Sequence, residues 1–237
     1  KSLIDVMDKS TLRTLFPVSR NCVYLNHAAV GPLPTTSYDA MNRIAVDQRD
    51  WGAVHWHDWL EVYARFRRSA AKLIGANPGE ISIVKNTSEG IAFVAEGLDW
   101  KAGENVITSD MEFPSNFVPW KRLERRGVEC RLIRNRKGAF TPEDVDALID
   151  SRTRIVALSA VSFHNGFRPD IEAIGETCQA RGVLFFLDAS QAVGALELDV
   201  RRAHVSFLAA DGHKWMLGPE GAGLFYSADE VRERIEP

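Results

Sequence analysis

The chain has 237 residues, 45% hydrophobic and 26% charged, which excludes disorder or collagen-like repeats and suits one large domain or two small ones. Lysines and arginines number 29 against 32 aspartates and glutamates, a net charge of −3, so no basic surplus points to nucleic acid. No apolar run approaches the roughly 20 residues of a membrane span, the stretch from Lys1 to Val6 does not read as a secretory signal, and the isolated Cys22, Cys130 and Cys178 suit a reducing compartment, so a cytoplasmic globular protein is expected.

In chain order, Leu3, Ile4, Met7, Leu12, Leu15 and Phe16 predict a short amphipathic helix ending before Pro17. The turn formers between Tyr24 and Pro34 predict an irregular loop. Residues 36–74 read as helical and unusually aromatic, with Trp51, Trp56, Trp59, Tyr63 and Phe66. From residue 80, β-rich runs at 81–84, 105–109, 130–134, 154–161, 183–187, 205–209 and 223–226 are separated mostly by helical segments at 88–98, 113–126, 142–150 and 171–181. Thr141, Pro142, Glu143 and Asp144 make a helix start, with a hydroxyl cap, proline at the first helical position and acids in the first turn. The almost unbroken apolar runs 154–161 and 183–187 predict strands covered on both faces. Such alternation implies an α/β fold with a mostly parallel sheet. A loop is the main link between the last two strands, so the final one is expected to be antiparallel.

Ligands of open α/β sheets gather at the carboxyl ends of strands. After 81–84 the chain enters a helix at Thr87 and Ser88, where free N–H groups and hydroxyls suit a phosphate; an ordinary N-cap by either residue is the plainer reading. After 183–187 stands Asp188, a carboxylate that must be paired, with a cationic ring nitrogen, a metal or a structural arginine. After 205–209, Lys214 lies in a glycine-flanked aromatic turn, where desolvation would favour its neutral, aldehyde-reactive amine. The alternative is a surface lysine whose stem covers Trp215. Together, a phosphate cradle, a carboxylate and a Schiff-base lysine are the three anchors that pyridoxal phosphate needs. His55, His57 and Asp58 are not read as a metal site, because positions two apart on a helix do not share a face.

With these residues in this order, the chain resembles the fold-type I pyridoxal-phosphate enzymes, specifically the class V aminotransferase group that includes cysteine desulfurases, kynureninases and isopenicillin N epimerase-like proteins. The resemblance runs from about Tyr24 to Tyr226, and Gly212-His213-Lys214-Trp215-Met216-Leu217-Gly218-Pro219-Glu220-Gly221 is its most specific part. It implies a three-layer αβα large domain with a seven-stranded, mostly parallel sheet. An N-terminal arm and active-site loop would cover residues 1–40 and the cofactor-binding domain residues 41–237. Relatives' smaller C-terminal domain is expected to be absent, so the chain reads as a fragment.

By the same resemblance Lys214 forms the Schiff base and shuttles the α-proton, and Asp188 keeps the ring nitrogen protonated. Gln191 would bond the ring's phenolic oxygen, Thr87, Ser88 and His213 would hold the phosphate, and Phe113 would stack on the ring. Asn26, His27 and Ala28 would touch the substrate. The implied activity is aminotransfer on a small amino acid in a homodimer, with desulfurase-, epimerase- or lyase-like outcomes as alternatives. A noncatalytic cofactor-binding module is the reading from a different class. Three departures stand out. Asp211 replaces a serine of many relatives and is expected to point away from the phosphate. Phe113 stands where desulfurases carry histidine. Phe163 takes the place of an asparagine, leaving His164 or Asn165 as substitutes. All three cysteines are expected to be structural.

Overall fold

A computed structural model describes residues 8–236; the predicted helix positions Leu3, Ile4 and Met7 lie outside the described residues. The rest of that helix is α1 (Lys9–Leu15), whose first N–H groups at Ser10 and Thr11 donate to the Asp8 carboxylate. The long helical stretch is two helices, α2 (Thr35–Trp51) and α3 (Trp56–Ile74). They part at Gly52, where φ is +58°, a conformation that costs a residue with a side chain but not glycine.

The remaining elements alternate as β1 (Ile81–Val84), α4 (Thr87–Gly97), β2 (Asn105–Ser109), α5 (Pro114–Arg122), β3 (Glu129–Ile133), α6 (Pro142–Asp146), β4 (Thr153–Ser159), α7 (Ile171–Arg181), β5 (Leu184–Asp188), β6 (Phe207–Asp211) and β7 (Gly223–Ser227). The Thr141 start carries a reciprocal capping box with Asp144, although α6 is shorter than expected. The tail of the predicted 113–126 helix tightens into a 3₁₀ turn over Leu123–Arg126.

The seven strands form one sheet in the order β1-β7-β6-β5-β4-β2-β3. β7 alone runs opposite to the other six strands, and it lies between β1 and β6 rather than at an edge. Alternating side chains of the central strands supply two separate cores. Val156, Leu158, Phe185 and Leu187 pack with α3, α6 and α7 residues such as Ile74, Val145 and Ile174. Ile155, Ala157, Phe186 and Phe207 pack with Ile91 and Val94 of α4 and Trp120 of α5 on the other face. The result is a three-layer αβα sandwich whose central strands end together at Ser159, Asp188 and Asp211. Cys130 and Cys178 are buried, and burial pushes their thiols up to about 11 and about 12, which disfavours the reactive thiolate; Cys22 is exposed, against expectation.

Candidate active site

The carboxyl ends of β4, β5 and β6, the start of α4 and the 26–30 loop enclose a cavity of about 680 Å³. The turn after β6 brings Lys214 into it. Its side chain is 14% exposed, with Nζ 3.2 Å from Asp211 Oδ2 and 5.7 Å from the centre of the Phe113 ring. The alternative packing on Trp215 is not formed: that indole stacks on His27 at 5.2 Å and donates to Gln191 Oε1 at 2.8 Å. The loop presses closely on the lysine turn. Gly31 donates its N–H to His213 O at 2.7 Å, and a Cβ there would lie 2.1 Å from the Lys214 carbonyl oxygen, so only glycine fits.

Asp188 is buried at the tip of β5, its Oδ1 accepting the Ser190 N–H at 3.0 Å. Among the described residues, no lysine or arginine forms an ion pair with it, so the structural salt bridge left open by the sequence is not made. Burial raises its pKa, opposed by the Ser190 bond and the Lys214 charge.

At the start of α4 the cap is Asn86, whose Oδ1 accepts the Glu89 N–H at 2.9 Å, rather than Thr87 or Ser88. This leaves the two hydroxyls at the cavity, where Thr87 Oγ1 meets Ser190 Oγ at 2.7 Å and Ser88 Oγ donates to Ser115 Oγ at 2.8 Å. Asp211 was expected to point elsewhere but lies here, its Oδ1 accepting the Thr87 N–H at 2.8 Å. Burial alone would raise its pKa; the Thr87 bond and the Lys214 charge outweigh that and hold it below the usual value. The helix N-terminus and the ammonium attract this carboxylate more than burial repels it.

Phe113, Gln191, His213, Asn26 and Ala28 all line the cavity. Gln191 is anchored by its Nε2, which donates to Ala28 O at 2.9 Å. His27 is not brought to the cavity, because its ring is taken up between Trp215 and Tyr24. Phe163 packs edge-to-face on Phe113 at 5.0 Å and also lines the wall. Neither proposed substitute replaces it: His164 and Asn165 face a neighbouring groove, where Asn165 Nδ2 donates to Gly138 O. His55 likewise has a local use, bonding Asp47 at 2.7 Å and so tying α3 to α2.

The sequence reading missed Ser159 and Ser190 on the cavity wall and Glu112 behind it. Glu112 accepts from Ser159 N–H at 2.9 Å, Ser159 Oγ at 2.5 Å and Asn116 Nδ2 at 2.8 Å. The available signal was an acid in the turn that follows a fully buried strand, β2.

A family model described as aminotransferase class-V matches residues 23–237. A probable cysteine desulfurase of Methanothermobacter thermautotrophicus is 33% identical over 98% of this chain and 59% of its own length. The apo structure of a cysteine desulfurase from Thermococcus onnurineus superposes with a TM-score of 0.90 at 30% identity, covering 98% of this chain and 60% of that one. A C-DES mutant with glycine covalently linked to its PLP cofactor superposes at 0.89 with 25% identity, covering 95% and 61%. The chain thus spans about three fifths of the length of these relatives.

Proposed function

Because the chain belongs to the aminotransferase class-V family, a group of fold-type I pyridoxal-phosphate enzymes, we propose that it binds this cofactor and acts at the amino group and α-carbon of a small amino acid. Aminotransfer is the first reading. The observation that carries the proposal is Lys214 Nζ, held inside a cavity that also contains the buried Asp188 and the start of α4.

The donor set fits the cofactor. Lys214 is the primary amine that would hold the aldehyde. Asp188, buried without an ion-pair partner among the described residues, would face a protonated ring nitrogen, and that partner would lower its raised pKa again. The α4 N-terminus with Thr87 and Ser88, aided by His213, would hold the phosphate. Asp211 is a group of the wrong sign there, and Lys214 and the Thr87 N–H offset its charge. Phe113 offers the flat face on which a ring can stack, and Gln191 reaches the cavity beside it.

Bound pyridoxal phosphate supplies an electrophilic aldehyde and a ring that withdraws electrons from the substrate's α-carbon. Lys214 is the group that would remove the substrate's α-proton as base and return one as acid. Asp188 would hold a proton on the ring nitrogen. Asn26 and Ala28 stand where they would meet the substrate.

Cysteine desulfuration is a second reading, supported by the names of the two desulfurase relatives. Phe113 in place of histidine weighs against it. Incubation with cysteine, a thiol reductant and a keto-acid acceptor separates the two: desulfuration yields alanine and sulfur that the reductant releases as sulfide, whereas aminotransfer yields 3-mercaptopyruvate and the amino acid of the acceptor. Apolar side chains left in solvent on α2 and α3, including Met41, Trp51, Trp56 and Tyr63, support a homodimer. No helix among the described residues is long and apolar enough to cross a membrane.

The test is titration with pyridoxal phosphate. The chain should gain a visible absorption band, and Lys214→Ala should lose that band and at least about a thousandfold in activity while keeping its circular dichroism. An unchanged band in the variant would remove Lys214 from its role.

A further inference from the structure

Glu112 belongs to none of the roles above, yet its carboxylate joins three elements. It lies in the turn between β2 and α5, directly before Phe113. Its acceptors take the backbone N–H and hydroxyl of Ser159, the last residue of β4, and the side-chain amide of Asn116 on α5. Asn116 in turn accepts the buried Trp120 indole N–H at 3.0 Å through its Oδ1, which fixes the amide's orientation.

The reason for an acid at this place lies in the sheet. β4 pairs with β5 up to Ser159 opposite Asp188, but its pairing with β2 runs only to Val156. Ala160 donates its N–H to Asp188 O on the β5 side, so the preceding Ser159 N–H faces the β2 side, beyond the end of that ladder. A buried N–H without an acceptor is costly. Glu112 supplies the acceptor that the missing strand residues would have provided, and with it ties the Phe113 turn to the strand end beside Asp188.

We propose that Glu112 is a positioning residue of the cofactor site, clamping the Phe113 turn to the carboxyl end of β4 and setting the charge next to Asp188. The inference rests on the proposed cofactor reading. The charged or titratable groups around Glu112 are Asp188 on β5, Lys214 and Asp211 across the cavity, and Asp110, Lys137 and His164 along the adjoining groove. Burial first, then the neighbouring Asp188 charge, pushes its pKa up to about 7 against the pull of its hydrogen bonds.

Glu112→Gln keeps the shape but replaces one of the two acceptor oxygens with an NH₂, which then opposes either the Ser159 N–H or the Asn116 NH₂, so the clamp loosens in either orientation; Asn116 itself cannot flip without losing Trp120. Two measurements test the clamp. Amide hydrogen exchange on the cofactor-free protein should show the Ser159 N–H at least about tenfold less protected in Glu112→Gln, and less still in Glu112→Ala, with strands β5 and β6 unchanged. In protein loaded with pyridoxal phosphate, the pH midpoint of the visible band should move down by on the order of half a unit or more when this negative charge is lost. Unchanged Ser159 protection, or an unmoved midpoint, overturns the proposal. Failure of the wild-type chain to gain any band would instead overturn the cofactor reading, with the exchange result still deciding whether the clamp exists. Ser159→Ala, which removes the hydroxyl arm from the opposite side, should shift the same midpoint in the same direction; no shift counts against the clamp.

Discussion

All five residues of β5 are buried, whereas none of the 17 residues of α2 is, and α3 buries only Ala70, Ala71 and Ile74 in its last turns. The two regions use apolar residues for different ends. In the sheet they build the two cores that fix the strand tips, so Asp188, Ser159 and Asp211 reach the cavity on rigid stems, the condition for placing reactive groups accurately. On the helical pair, Met41 and Trp56 remain 44% and 49% exposed, and Trp51 59%. That surface suits a partner better than it suits the chain's own core. The contrast teaches that aromatic content by itself does not locate a core: Trp120, in a helix packed on the sheet, is fully buried, and Trp51 is not.

The sharpest way to break this contrast is to delete equivalent bulk from both regions. Phe186→Ala empties a site closed by both neighbouring strands and Trp120, and should cost about 3–5 kcal/mol in urea unfolding. A loss below about 1 kcal/mol would mean the sheet is not the stabilising unit. Next in size is a pH effect. Glu112 has a folded-state pKa of about 7 against 4.5 for the free side chain, so between these values the native state holds more of its proton than the unfolded state. Stability should therefore fall as pH rises from 4.5 to about 7 and then level off, by about 3 kcal/mol from this group alone. The difference between wild-type and Glu112→Gln unfolding curves isolates this slope; parallel curves would show that the carboxyl is not desolvated. The smallest effect is expected on the helical pair, where Trp56→Ser should change unfolding by under about 0.5 kcal/mol yet weaken self-association in sedimentation. A stability loss as large as that of Phe186→Ala would place Trp56 in the core.

Much of the sheet was legible because each strand is a short apolar run bounded by turn residues. The strands at Ile81–Val84 and Asn105–Ser109 begin and end where the pattern does. Asp188 was legible for a related reason, since a charge placed directly after a buried run must stand at a strand's end, and Lys214 was legible as the amine of the glycine-flanked turn that follows the next strand. The break at Gly52 was not legible, since apolar and helix-tolerant residues continue on both sides and only the left-handed backbone shows the kink. The Asn86 cap was hidden among three adjacent residues able to cap. Asp211 was misjudged because its partners, Thr87 and Lys214, are brought to it by tertiary packing rather than by spacing. Glu112 was overlooked because its acceptor role depends on where the β2–β4 pairing stops, a matter of register that no local pattern encodes.

Reduction of the chain with borohydride after incubation with pyridoxal phosphate, followed by peptide mass mapping, tests the central claim most directly. The account predicts one stable cofactor adduct, on the peptide that contains Lys214 and nowhere else. An adduct confined to surface lysines such as Lys85 or Lys101, with Lys214 unmodified, would contradict it.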